Sequence, residues 1–418
     1  MSNLIIEGGN RLEGEIVIGG AKNSTLPLLA ATILCSGECI LHNCPRLSDV
    51  DTSLKILAGL GCTYKREGNT VTVDTTNVTG CEIPENLMRE MRSSIVFLGA
   101  IAARCGAAKL SSPGGCELGP RPIDLHLMAL RQMGMYINED HGLLDCKIID
   151  QLIGSDIALS IPSVGATENI MLAAVTAKGI TTVQNAAREP EISDLADFLN
   201  KCGAKVYGAG TGAIVIEGVP KLSPCEHTVI PDRITAATYM AAGAITCGDL
   251  LIKNIVNEHL IPVLSSFESA GCQLKYYKNA LRIKADYRLK RIEKINTLAY
   301  PGFPTDAGPP IMAMTTVADG TSMFVENIFD NRFKFVDELK RLGAKVDVVG
   351  RVAVVEGVKS LSGAAVMSTD LRGGAALVIA GLAAHGQTVV GAVNHIDRGY
   401  ESIEKVLSNV GANIVRAN

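Results

Sequence analysis

With 418 residues, 47% of them hydrophobic and 20% charged, the chain is too long for one hydrophobic core and has the composition of an ordinary globular protein. Its formal charge of −4 excludes a generally basic nucleic-acid-binding surface, so any anionic ligand has to be held by locally clustered Arg and Lys. No unbroken apolar run approaches the roughly 18 residues of a membrane span, and Asn3, Glu7, Asn10, Arg11 and Glu13 interrupt the start where a signal peptide is apolar, which predicts a soluble, cytoplasmic protein with no membrane partner.

Taken in chain order, the elements repeat. A glycine that opens an apolar, strand-like run recurs at Gly37, Gly106, Gly179, Gly248, Gly320 and Gly386, each behind a small-residue helical stretch such as 93–103 or 233–245. A second glycine marks the end of a later, amphipathic helix and the start of its strand: Gly61, Gly134, Gly203, Gly271, Gly343 and Gly411. Both series step by about 70 residues, too long for a solenoid turn and right for a helix, a strand, a second helix and a hairpin. Six such units predict an α/β protein. The sixth stops short of the tail seen as Ile214-Val215-Ile216-Glu217-Gly218 or Val354-Val355-Glu356-Gly357, and Leu4-Ile5-Ile6-Glu7-Gly8 matches that tail. Three units over 21–229 are therefore expected to form one domain. The other consists of three over 230–418, completed by residues 1–20.

Twelve cysteines might suggest disulfides or a metal, but no paired C-x-x-C occurs, and Cys62, Cys105, Cys202, Cys247 and Cys272 stand beside repeat glycines, where a small apolar residue is wanted. They read as reduced core residues, and Cys35, Cys39 and Cys44 with His42 read the same way rather than as a metal cluster. Gly208-Ala209-Gly210-Thr211-Gly212 is a weak echo of a phosphate loop that fits a hairpin turn better.

Most units place Asn six to eight positions past the strand-opening glycine, at Asn43, Asn185, Asn254, Asn327 and Asn394. The second unit places Pro113 there, followed by a Gly-rich loop with Cys116 between two glycine clusters and Arg104 and Arg121 nearby, the mobility and cations that a reactive thiol needs. Charged residues also stand at the starts of the small-residue helices: Lys22, Arg92, Arg233, Asp306 and Arg372. Lys or Arg there opposes the helix dipole unless a bound anion lies between, although Arg233 and Arg372 could simply pair with Asp232 and Asp370 as solvated ion pairs. Together with Arg121 and Arg398 they suggest a cleft for a polyanionic substrate.

Gly19-Gly20-Ala21-Lys22-Asn23, Met91-Arg92-Ser93-Ser94, the Cys116 loop with Arg121-Pro122-Ile123-Asp124-Leu125, Ser163-Val164-Gly165-Ala166-Thr167, Pro304-Thr305-Asp306, Asn331-Arg332-Phe333, Asp370-Leu371-Arg372 and Asp397-Arg398-Gly399-Tyr400 occur in order across the chain. They resemble the UDP-N-acetylglucosamine 1-carboxyvinyltransferase family of enolpyruvyl transferases. The resemblance implies two inside-out α/β domains, each of three βαβαββ repeats, closing over a cleft. It also implies transfer of an enolpyruvyl group from phosphoenolpyruvate to the 3′-hydroxyl of UDP-N-acetylglucosamine, with release of phosphate, as the first committed step toward peptidoglycan. On this resemblance Cys116 is the general acid and Asp306 takes the hydroxyl proton. Lys22, Arg121, Arg372 and Arg398 clamp phosphoenolpyruvate, Lys22 and Arg398 also counting as catalytic, and Asn23 lies beside the reacting centre. Arg92, Arg121, Pro122, Ile123, Asp124, Leu125, Ser163, Val164, Gly165 and Ile328, with Asn23 and Asp306, form the nucleotide-sugar site. No metal, organic cofactor or obligate protein partner is implied. The chain has Ile161-Pro162 where some members carry a lysine, and Asp330 where others have Glu. The sister enzyme acting on shikimate 3-phosphate shares the fold but has no counterpart of Cys116, and a catalytically idle paralogue would not be expected to keep Lys22, Cys116, Asp306 and Arg398.

Overall fold

The computed structural model describes residues 2–112 and 123–417. The chain divides into two compact units, one from Gly20 to Ile230 and one made of the chain up to Gly19 with the chain from Pro231 onward.

In the first unit the helices Lys22–Thr32, Phe97–Cys105 and Val164–Ala174 are built from runs such as LPLLAAT and carry no polar face. A helix that is apolar all round has to be buried, and Phe97–Cys105 packs against both of the others. The approach is close: a Cβ on Gly99 would lie 2.5 Å from the Asn169 carbonyl oxygen. Outside stand amphipathic helices such as Pro190–Lys201, which buries Ile192, Leu195, Phe198 and Leu199, and three small sheets. Their strands alternate in the way a half-buried sheet requires, as in Ala213–Glu217, where Ile214 and Ile216 face in and Val215 faces out. Helices inside and sheets outside invert the usual α/β layering.

Five of the six repeats receive a short parallel strand from the repeat before them, and in the remaining case the first repeat makes only an isolated parallel bridge, Glu82 to Lys109, with the sheet of the second. Asp156–Ala158 lies parallel to Ile180–Gln184, and the last repeat closes the ring by laying Glu226–Thr228 parallel to Glu38–His42. The second unit follows the same plan around Arg233–Ile245, Gly308–Thr315 and Leu371–Ala383, with Lys294–Asn296 against Thr321–Val325 and Ala365–Met367 against Gln387–Gly391. Here the ring is closed by the N-terminus. Asn3–Glu7 sits antiparallel between Gln387–Gly391 and Asn413–Ala417, and Glu13–Val17 lies parallel to Asp249–Lys253.

The second glycine series sits at left-handed φ between 88° and 103°, the conformation that ends a helix and that a Cβ disfavours. The asparagines tie the donated strands in place. The side-chain amides of Asn43, Asn185, Asn254 and Asn327 donate to the carbonyls of Val229, Leu159, Ile18 and Thr297 at 3.0, 2.9, 2.6 and 3.0 Å, in each case the residue just past the donated strand. Asn394 departs from the series. The left-handed residue of the sixth repeat is Ala392 (φ 52°), and Asn394 lies in the 3-10 helix Val393–Arg398, so only the backbone tie from Ser368 N–H to the Gly391 carbonyl, at 3.1 Å, remains there.

The matching tails end on glycines for a steric reason. A Cβ on Gly218 or Gly357 would stand 1.6 or 1.8 Å from the carbonyl oxygen of Ala177 or Ala318, and one on Gly8 would stand 2.3 Å from that of Ala384. Gly357→Ala is therefore expected to force backbone displacement and to lower stability by about 1–3 kcal/mol. An unchanged midpoint in urea unfolding would refute this.

Candidate active site

In the second unit the charged helix starts converge. Asp232 and Asp370 are N-caps: Asp232 Oδ1 accepts from the N–H groups of Ile234 and Thr235 at 2.9 Å, and Asp370 Oδ1 from those of Arg372 and Gly373 at 3.0 Å. Arg372 is not the solvated partner of Asp370 that its position allowed, since it is buried and pairs with Asp306, and Arg233 is buried as well. Arg372 Nε donates to Asp306 Oδ2 at 3.3 Å, its guanidinium stacks 5.3 Å from the centre of the Tyr400 ring, and the Tyr400 hydroxyl meets Thr238 Oγ1 at 2.9 Å.

Asp306 belongs to the 3-10 turn Thr305–Ala307 that opens Gly308–Thr315. Its other oxygen, Oδ1, accepts from Arg332 Nη2 at 2.8 Å, while Arg332 also donates to the Thr305 carbonyl at 2.8 and 3.2 Å and lies over the Phe329 ring. Both arginine side chains are 2% exposed and the carboxylate 27%, so Asp306 is the open end of a rigid arrangement. Arg372 Nη1 is buried with no hydrogen-bond partner among the described residues, a donor suited to an anionic ligand. Glu326, buried, accepts from the Thr305 hydroxyl at 2.9 Å and from the N–H groups of Ile328 and Phe329 at 2.7 and 3.0 Å, which ties exposed Ile328 to the Asp306 turn. Arg398 ends the helix Val393–Arg398, two residues before Tyr400. Arg332, Glu326, Thr238 and Tyr400 received no role from the sequence. Arg332 and Tyr400 stood inside quoted motifs, but nothing local says what they touch.

In the first unit Lys22 opens its helix and, buried, places Nζ 2.9 Å from Asp49 Oδ2. Asn23 is the one residue of that helix not buried. Ser24 donates to Asp194, which holds His227 Nε2 at 2.8 Å, with Lys201 Nζ 3.1 Å from the other ring nitrogen. Three of the segments read as parts of the nucleotide-sugar site, those at 92–96, 123–126 and 163–169, are joined through a residue the sequence did not single out. Ser163 accepts from Ala166 N–H and starts Val164–Ala174, Ile123 precedes Asp124–Gln132 with Leu125 in its first turn, and Arg92 opens the 3-10 turn Arg92–Val96. His126 joins the three segments. Its Nδ1 is 2.8 Å from Asn169 Nδ2, Asn169 donates in turn to the Ile95 carbonyl at 2.9 Å, and a Cβ on Gly165 would come within 3.0 Å of the imidazole. Cys116, Arg121 and Pro122 lie outside the described residues. Ile161, the departure from the family pattern, is exposed, and Asp330 pairs with Arg351.

Burial pushes the His126 imidazole down to about 4, against a smaller opposing pull from Asp124. The unfolded chain then binds one more proton than the folded one between about pH 6.5 and 4, so this contribution to stability is fully present above that window and is lost as pH falls through it. His126→Gln should flatten the decline of the unfolding midpoint over this range, and parallel pH curves for variant and wild type would refute the assignment. Glu168, on the same helix as Gly165, is held well above the usual carboxylate range by burial first, then by Glu191 and Glu189.

Residues 6–407 match the EPSP synthase (3-phosphoshikimate 1-carboxyvinyltransferase) family. The solved enolpyruvyl transferase NikO from Streptomyces tendae superposes with a TM-score of 0.91 at 26% identity, covering 100% of this chain and 99% of that one. An EPSP synthase from Acinetobacter baumannii shares the fold, with a TM-score of 0.77 at 19% identity and full coverage of both chains. The chain belongs to this family of enolpyruvyl transferases and is an enzyme. Two relatives of higher identity share a name. A UDP-N-acetylglucosamine 1-carboxyvinyltransferase 2 from Caldanaerobacter subterraneus subsp. tengcongensis is 54% identical over 416 residues, covering 100% of both, and a UDP-N-acetylglucosamine 1-carboxyvinyltransferase from Geotalea uraniireducens is 48% identical, covering 100% of this chain and 99% of that protein.

Proposed function

We propose that this enzyme transfers the enolpyruvyl group of phosphoenolpyruvate to the 3′-hydroxyl of UDP-N-acetylglucosamine, the entry step to peptidoglycan precursors, in the cytoplasm. No helix among the described residues is long and apolar enough to cross a membrane.

Addition across the enol double bond needs a proton delivered to carbon while an alcohol oxygen attacks. In this reading the Cys116 thiol protonates the methylene carbon of phosphoenolpyruvate and Asp306 takes the proton of the attacking hydroxyl, so a carbon–oxygen bond forms and a tetrahedral phosphoketal results. Loss of a methyl proton then restores the double bond as the bond to the phosphate oxygen breaks. Lys22, Arg121, Arg372 and Arg398 offset the charge of the substrate and of the departing phosphate. Asn23 orients the reacting centre, and Arg92, Arg121 to Leu125, Ser163 to Gly165 and Ile328 hold the nucleotide sugar.

The observation that most supports this reading is the seat of Asp306, a carboxylate fixed by two buried guanidinium groups, one of which keeps a spare donor. Phosphate release from phosphoenolpyruvate with UDP-N-acetylglucosamine, run beside shikimate 3-phosphate, tests it. Release with the nucleotide sugar alone is expected, and release only with the shikimate ester would end the assignment.

A further inference from the structure

Closure of the first unit's ring brings together cysteines that are far apart in sequence. Glu226 stands opposite Ile40 in the parallel pair, and Ile40 N–H donates to the Cys225 carbonyl at 3.1 Å. Around this seam lie Cys35, Cys39, Cys202 and Cys225, with the Cys202 thiol donating to the Cys225 sulfur. Cys202 caps the C-terminal end of Pro190–Lys201 and is 2% exposed, and Cys35 and Cys39 are fully buried. Cys225 is half-buried and so can meet a small reagent from solvent. The closest feature of the cluster is a pair: Cys202 Sγ and Cys225 Sγ are 3.1 Å apart. A disulfide needs about 2.05 Å, roughly one ångström of further approach between side chains that already face each other.

We propose that Cys202 and Cys225 are a reversible disulfide site, closed by hydrogen peroxide and reopened by thiols. The first step falls to Cys225. The hydrogen bond from Cys202, opposed by burial and by Cys39 and helped by the charge of Lys201, favours its thiolate, the nucleophilic form. The thiolate attacks one peroxide oxygen, the O–O bond breaks, and hydroxide leaves and is protonated to water, which makes Cys225 a sulfenic acid. The Cys202 sulfur then attacks that of Cys225, the S–O bond breaks, and the thiol proton leaves with the hydroxide as a second water. Each sulfur gives up one electron and the peroxide takes two. A small dithiol reverses the change by exchange.

The test treats the reduced full-length protein with hydrogen peroxide, blocks remaining thiols with N-ethylmaleimide in denaturant, and maps the unreduced digest by mass spectrometry. A peptide pair joined through Cys202 and Cys225, lighter by two hydrogen atoms and separated by dithiothreitol, is the expected result. Cys202→Ala should abolish the link, and Cys116→Ser should leave it intact. Cys202 and Cys225 both carrying maleimide after peroxide would overturn the proposal. So would Cys225 linked to Cys35 or Cys39 instead, Cys225 taken to sulfinic acid without a link, or a link that disappears in Cys116→Ser.

Discussion

Asp306→Asn should lower turnover by about 10²–10⁴-fold, the range for a positioned acid–base group, while affinity for UDP-N-acetylglucosamine changes much less and Cys116 stays alkylatable. The surroundings of Asp306 supply a competing account. Arg332 and Arg372 are both buried and both rest on this carboxylate, so its chief service could be to neutralise them. Removing one partner of such a buried pair is destabilising by roughly 3–5 kcal/mol, although Asn keeps an acceptor oxygen and the site is partly open, which reduces the loss. The two accounts separate in one pair of measurements. A base predicts a collapse of kcat at saturating substrates in protein that still binds the sugar nucleotide. A structural anchor predicts a lower melting temperature with turnover within a few-fold of wild type, and that outcome would return the search for the base to other carboxylates such as Glu189 and Asp370.

Cys116 carries the second large effect. A thiol, with an ordinary pKa of about 8.5, can give a proton to carbon, whereas an unactivated serine hydroxyl is a very weak acid. Cys116→Ser should therefore lose about 10²–10⁴-fold in turnover, and Cys116→Asp should retain a measurable part, because a carboxyl group can still deliver the proton. The phosphonate epoxide fosfomycin, which resembles phosphoenolpyruvate, should alkylate Cys116 among the twelve cysteines and spare the Asp variant. Four of the other thiols give physical grounds for this selectivity, while Cys225 is set apart from Cys116 by the reagent's likeness to phosphoenolpyruvate rather than by its thiolate character. Burial pushes Cys44, Cys146 and Cys272 up to about 12 and Cys62 to about 11, leaving almost no thiolate near neutral pH. Label spread over several cysteines, or absent from Cys116, would contradict the assignment.

The sequence by itself determined the repeat and most of the residues worth testing. Local sterics explains why. A glycine in the left-handed region ends a helix wherever it stands, so Gly61, Gly134 and their four counterparts mark the same turn six times, and a helix with no polar stripe, such as 371–383, has to be buried. The exception at Cys116 was legible for the same reason, since a repeat makes a departure visible. Asn394 shows the cost of reading by position alone: it holds its place in the count, but the turn is made by Ala392.

Only the tertiary structure decided which of these residues serve one another. Asp306 lies 26 residues from Arg332 and 66 from Arg372. His126 reaches Asn169 across 43 residues. Cys225 meets Cys202 at the seam where the third repeat returns to the first. No local preference encodes such partners. They depend on how three apolar helices nest and on which strand is handed to which sheet, and those pairings become favourable only after the chain has met the loop-closure entropy of bringing distant segments together.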